Sequence, residues 1–327
     1  MFLRRLIHWF LLTILTCLLV SACSKNVNQS ATSSKQLLSE CRVVQHAMRE
    51  TCVPKTPERL IALNPVALGN AISLGIQPVG SVFEYNNQFP DYLKGKTEGI
   101  QAIGKWGQPS IESIILLKPD VMIGWKHNYE SIYPQLSNIA PTALYDWRDN
   151  ITKQDNWKEY FKFMAEVLDR EEIGRQVLEH YNQRIEELKM ALGKHYKDKT
   201  ISFVNFCCGG IQTETDDDPS SFISSVLRDA GLQRPKSQRS NPKGSIMISE
   251  ETLDMADGDV MFVVVYGGNE TGERDLSILQ KNPLWQTLKA VQNNRVYYVD
   301  PTIWRGRTPL AADAVIDDLY KYLVNAP

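Results

Sequence analysis

The residues best suited to chemistry in this 327-residue chain are aromatic rings set beside cations. Trp304-Arg305-Gly306-Arg307 stands near the C-terminus and Trp125-Lys126-His127 in the first half, while Glu84-Tyr85 and Tyr266 end other apolar runs. A guanidinium fork matches a carboxylate with two parallel hydrogen bonds, and rings supply contact area with few rotors. Together they suit capture of a bulky, net-anionic molecule, with each ring also able to serve plain packing. Direct metal ligation fits less well. Beyond residue 22 the histidines are His46, His127, His180 and His195, far apart and without a His/Glu ligand spacing. His127 is the one to watch near a ligand, and His180 is expected to pack or face solvent. Asp216-Asp217-Asp218 before Pro219 resembles a cation cluster but fits better as acids complementing a helix N-terminus. No Gly-x-Ser-x-Gly elbow, P-loop or Gly-x-Gly-x-x-Gly fingerprint occurs. Vicinal Cys207-Cys208 lack the Cys-x-x-Cys spacing of oxidoreductases, which leaves an exported redox enzyme as a remote alternative. No catalytic residue, cofactor or metal site is expected.

Such side chains need strands to carry them. In the first half, short apolar strands at 60–63, 79–83, 121–124 and 142–145 alternate with helices at 66–74, 111–117 and 131–139; the stretch 84–108 reads as irregular. In the second half, strands at 200–206, 260–266 and 296–299 alternate with helices at 220–230 and 250–256, a mostly helical stretch at 276–291 broken by Pro283, and a last helix from Thr308 to about 323. This alternation predicts two parallel sheets covered by helices. Between the halves lie two helices with no strand. Asn156 with Glu159 predicts the start of the first, and Asp169 with Glu172 the start of the second, with Glu171 pairing to Arg175. The roughly 22 residues from Glu171 to Leu192 would span about 33 Å, a spine long enough to join two lobes. The expected fold is therefore α/β, with two Rossmann-like lobes, one long helix between them and a cleft at the carboxyl ends of the strands. The expected division is a lobe at 41–155, a linker at 156–193 and a second lobe at 194–327.

The N-terminus reads as an export signal. Arg4 and Arg5 precede an apolar run that closes on Leu19-Val20-Ser21-Ala22-Cys23, and a polar tether follows to residue 40. Loss of residues 1–22 removes two Arg and no acid, moving the formal charge from −2 to −4. Nothing in that balance suits nucleic acid or a polybasic membrane contact. Export permits disulfides. Cys41 and Cys52 flank a hairpin-length loop and are the favoured pair, whereas adjacent Cys207 and Cys208 are expected to be thiols or a labile pair.

Several motifs in order resemble one family: Thr56-Pro57-Glu58-Arg59-Leu60, Leu74-Gly75-Ile76-Gln77-Pro78-Val79-Gly80, Pro109-Ser110-Ile111-Glu112, Leu117-Lys118-Pro119-Asp120, Val226-Leu227-Arg228-Asp229-Ala230-Gly231-Leu232 and Asn282-Pro283-Leu284-Trp285. The chain resembles the helical-hinge, class III periplasmic binding proteins of ABC importers for ferric siderophores, ferric citrate, haem and cobalamin, most of all the ferric-citrate branch. The resemblance implies a lipoprotein anchored through Cys23 alone, facing the periplasm or extracellular space, acting as a monomer and delivering an iron(III)-siderophore or iron(III)-citrate to permease subunits. Haem or cobalamin is the alternative cargo. It further implies a ligand site drawn from Trp304, Arg305, Arg307, Trp106, Trp125, Lys126, Tyr266 and Glu84. Trp106 stands where many members carry Arg, a departure that bears on ligand class. Finally, one Glu per lobe should dock on the permease: Glu112 in the first, and Glu251 in the second, with Glu250 one register step away.

Overall fold

The computed structural model describes residues 41–84, 88–148, 155–207, 210–218, 220–241, 244–265 and 270–325. Strands β1 (Cys41–Gln45) and β2 (Glu50–Pro54) pair as a hairpin. Cys41 and Cys52 are disulfide-bonded, as expected. His46 docks the hairpin turn, its Nδ1 accepting from the Met48 amide (3.3 Å) and the Leu144 amide (3.4 Å).

The first lobe begins with β3 (Leu60–Ala62), wholly buried. Asn64 then caps α1 (Pro65–Ser73), its side chain accepting from the Ala67 amide at 2.6 Å with Pro65 at the first helical position. β4 (Gly80–Phe83), β5 (Gln101–Lys105) and β6 (Gln108–Pro109) follow. The stretch 84–108 is thus not simply irregular: its second half adds two strands to the sheet edge. Ser110 caps α2 (Ile111–Leu117), and β7 (Val121–Trp125), the short α3 (Lys126–Tyr129), α4 (Tyr133–Ile139) and β8 (Thr142–Tyr145) complete the lobe. The sheet order is β6-β5-β4-β3-β7-β8. All its pairs are parallel except β5–β6.

Two helices come next, α5 (Asn156–Val167) and α6 (Glu171–Leu192). Their lengths follow the apolar periodicity, but their starts differ from expectation. Asp155, in the left-handed region (φ 58°), precedes α5, while Asn156 is buried, accepting from the Tyr145 hydroxyl at 3.0 Å instead of capping. Arg170 precedes α6, and Asp169 is left-handed (φ 56°). Arg175 pairs with Glu172 (2.6 Å), three residues before it, and with Glu179, four residues after it, instead of Glu171.

Both helices serve two cores. Trp157 belongs to the second lobe's core, and Tyr160, Phe161 and Met164 to the first lobe's. Along α6, Val177 packs on the first core, Leu178 touches both, and Tyr181, Ile185, Leu188 and Leu192 enter the second. The start of α5 is clamped to the second lobe. Asp155 accepts from the Ser225 hydroxyl (2.6 Å) and from Arg228 (2.8 Å), and Lys158 pairs with Asp229 (2.6 Å).

The second lobe contains β9 (Ile201–Cys207), β10 (Gly210–Glu214), α7 (Phe222–Asp229), β11 (Ser245–Ile248), β12 (Val260–Val265), α8 (Glu270–Gln280), α9 (Lys289–Gln292), β13 (Val296–Tyr298), α10 (Pro301–Trp304) and α11 (Pro309–Leu319). Its sheet order is β11-β10-β9-β12-β13, with β9, β12 and β13 parallel and β10 and β11 antiparallel. Both sheets are therefore mixed, with antiparallel strands only at an edge. The mostly helical stretch 276–291 is broken around Pro283 as expected, into α8, a 3-10 turn (Trp285–Thr287) and α9, because proline lacks the amide a continuous helix needs. Among the described residues no helix is long and apolar enough to cross a membrane.

Candidate ligand-binding site

The parallel strands of the first lobe end on one side, and their last residues line a cleft whose other wall comes from the segment after β13. The free space within the cleft is about 40 Å³. Glu84, Trp106 and Trp125 stand just past or at the ends of β4, β5 and β7; Arg305 and Arg307 face them from the turn between α10 and α11. This is the carboxyl-end position that open parallel sheets offer to ligands.

The aromatic wall is continuous. Trp125 meets Trp106 edge-on with centroids 5.5 Å apart, and Trp147 at 4.9 Å. The indole N–H groups of Trp106 and Trp125 are buried and have no hydrogen-bond partner within the described chain. Buried indoles ordinarily find one, so both donors are open to a bound group. Trp147 was not singled out in the sequence. It lies two residues past β8, so the strand-end rule that selects Trp125 selects it too. Tyr92 was also missed, since it sits in a 3-10 turn (Asp91–Leu93) within the 84–108 stretch.

The cationic wall is built differently. Arg307 is left-handed (φ 53°), its Nη1 donates to the Arg305 carbonyl at 3.1 Å, and its guanidinium lies 5.8 Å from the Trp147 ring centroid. A Cβ on Gly306 would stand 2.7 Å from the Thr302 carbonyl oxygen, so only glycine lets the turn close and bring both arginines to one side. Gly69 has a like role across the cleft: a Cβ there would meet Thr308 Cγ2 at 2.8 Å, where α1 approaches the start of α11. Thr308 donates to the buried Tyr92 hydroxyl at 3.3 Å, a direct link between lobes. Burial raises the Glu84 carboxyl above its ordinary range, opposed by the charges of Arg307 and Arg305.

The other expected site residues fall elsewhere. Trp304 is fully buried: its ring lies 4.4 Å from Phe262 and 5.8 Å from Phe203, and its indole donates to Asp318 at 2.8 Å. The short helix α10 turns it back onto the sheet, so it is a core residue, which corrects the ligand assignment. Lys126 turns to Asp146, 2.6 Å away, and its charge is committed there. The His127 ring stacks on Trp125 (5.6 Å), and burial, then Arg148, lowers its pKa against Asp146 and Glu130. Asp217 and Asp218 hold the loop around them, accepting from Ser240 (2.6 Å) and Ser220 (2.7 Å). Among the described residues no three His, Cys, Asp or Glu side chains converge as metal ligands. Tyr266, Tyr85, Cys208 and Cys23 lie outside the described residues.

The two acids are exposed and locally alike. Ser110, the cap of α2, donates to Glu112 at 3.2 Å; Ser249 precedes a 3-10 helix (Glu250–Ala256) and donates to Glu251 at 2.8 Å. Glu112 and Glu251 each stand two residues past the serine that donates to them.

A family model described as periplasmic binding protein matches residues 78–303. The chain is 30% identical to the probable siderophore-binding lipoprotein YfiY of Bacillus subtilis (strain 168), over 95% of this chain and 96% of that one. It is 29% identical to the Fe(3+)-citrate-binding protein YfmC of the same organism, over 98% of each. Among solved structures, Staphylococcus aureus SirA complexed with staphyloferrin B superposes with a TM-score of 0.73 at 28% identity, covering 86% of this chain and 98% of that one. Matched in sequence across both lobes and in fold to such two-lobed binders, this chain belongs to the periplasmic binding protein family.

Proposed function

We propose that the protein is the exported, lipid-anchored binding component of an ABC importer and that it captures a ferric chelate, either ferric citrate or a citrate- or hydroxamate-type siderophore. The observation that carries this reading is the opposition of Arg305 and Arg307 to the wall of Trp106, Trp125 and Trp147. A carboxylate-rich chelate presents anionic edges to guanidiniums and a broad apolar or hydroxamate face to rings. Each charge-assisted bond contributes about 1.5–3 kcal/mol, so the arginine pair alone could account for several orders of magnitude in affinity. The names of YfiY, YfmC and the SirA complex support the same class of cargo.

In this reading Cys23 carries the lipid, residues 23–40 form the tether, the two lobes meet through the linker 156–193, and Glu112 and Glu251 dock on two membrane-spanning subunits. The protein purified from iron-starved cells should carry iron and a carboxylate- or hydroxamate-bearing ligand by mass spectrometry. Re-addition of that ferric ligand should quench tryptophan fluorescence saturably. A haem or corrin absorbance in the loaded protein would replace this cargo with the alternative one.

A further inference from the structure

The outward face of α2 is unusual. Ile114 is fully buried, yet Ile115 is 53% exposed and Leu116 is 80% exposed. They follow Glu112 by three and four residues, so they share its side of the helix, one turn on. In the second lobe β11 alternates as an edge strand should, with Ile246 and Ile248 inward, but its outward residue next to Ser249 is Met247, 65% exposed. The Met247 methyl reaches the surface above Gly210, 3.1 Å from where a Cβ would be. Each lobe thus pairs a serine-held carboxylate with a bare apolar side chain a few residues away, one on a helix and one on a strand.

Single exposed apolar residues need no explanation, but repetition of the pairing on two unrelated elements does. Exposed ion pairs are weak and screened by salt, so two carboxylates supply orientation and encounter rate more than residence time. Apolar side chains that become buried supply what the acids lack, and methionine adapts to an irregular partner.

We propose that Leu116 with Ile115, and Met247, are apolar anchors that insert into the membrane-spanning importer subunits beside the cationic pockets receiving Glu112 and Glu251. The partner face therefore has two spots, each a cation next to an apolar recess. This rests on the docking reading above, and the test separates the two.

In the full-length protein in its own cells, a photo-crosslinking phenylalanine analogue replaces Leu116, Met247, Glu250, Met190 or Ile278, one at a time. Met190 and Ile278 are comparably exposed, at 75% and 58%, and belong to α6 and α8, not to the elements that carry the two acids. Adducts with a membrane-spanning importer subunit, identified by mass spectrometry, should be several-fold stronger at 116 and 247 than at 190 and 278. In a second arm, Leu116→Gln with Met247→Gln should lower the adduct formed at position 250 several-fold, and Met190→Gln should leave it unchanged. An importer adduct at 250 that ignores both anchor substitutions, with none at 116 or 247, removes the anchors and keeps the docking acids. Absence of importer adducts at every position, or adducts only with a second copy of this chain, overturns the docking reading and the anchors together.

Discussion

The two walls of the cleft are built on opposite plans. On the first lobe, rings stand at the ends of buried strands, so Trp125 inherits the rigidity of β7, whose residues are all buried. On the second lobe, Arg305 and Arg307 hang from a turn between two helices, with one residue left-handed and Gly306 packed too closely for any side chain. The fixed wall supplies area and shape. The turn supplies charge. Shape on a rigid sheet and charge on a connecting loop is a division that lets the charged part vary between ligands without disturbing a core.

Trp125 and Trp304 put that division to its strongest test, because both sit at the boundary between strand and cleft. Trp125 shows its ring to the cleft, whereas Trp304 fills the second core against Phe203 and Phe262. Trp304→Ala should destabilise the fold by about 3–5 kcal/mol, through lost packing and an orphaned Asp318. Ligand affinity of the fraction that remains folded should hardly change. Trp125→Phe should do the reverse, measured by urea unfolding and fluorescence titration. A stable Trp304→Ala protein that has lost its ligand would return Trp304 to the cleft.

That same pair marks how far the sequence could be read. Apolar runs and caps located most strands, the 22-residue helix and the two-lobed plan, because burial periodicity is a local property. The strand-end rule found Glu84, Trp125, Arg305 and Arg307 for the cleft, whereas Trp106 came only from the family resemblance. It failed for Trp304, since which side of a short helix meets the sheet depends on the α10–α11 turn. It stopped short of Trp147, which lies two residues beyond the end of β8 at Tyr145. The start of α5 differs for another reason: Asp155 and Asn156 spend their side chains on tertiary partners, which no capping pattern records.

A smaller effect should come from the charged wall. Arg305→Ala with Arg307→Ala should weaken binding of the co-purifying ferric ligand at least about tenfold, one charged bond being worth roughly 1.4 kcal/mol or more. An unchanged titration curve would reduce the second wall to scaffolding and leave the rings as the whole site.

The smallest effect tests whether the two walls sense each other through Glu84. This acid belongs to the ring-bearing lobe but faces the arginines of the other, and its carboxyl is raised above 4.5 chiefly by burial, with Arg307 and Arg305 pulling the other way. An acid whose folded pKa exceeds its unfolded value favours the folded state below the unfolded value. That contribution is lost as pH rises through the folded pKa. Glu84→Gln should therefore gain stability over the unsubstituted protein as pH climbs from about 4.5 toward neutrality, and the two should converge in acid. Binding should move with the same sign. With Glu84 ionised, one negative charge offsets part of the arginine pair. The Glu84→Gln protein lacks that charge, so it should bind an anionic chelate up to about fivefold tighter at pH 7, a difference of roughly 1 kcal/mol. Because the chelate's own protonation is common to both proteins, the ratio of their affinities isolates the carboxyl. A ratio that stays flat between pH 4 and pH 8 would mean that Glu84 contacts the ligand as a neutral donor, and the ring-bearing wall would then take part in polar recognition as well as in shape.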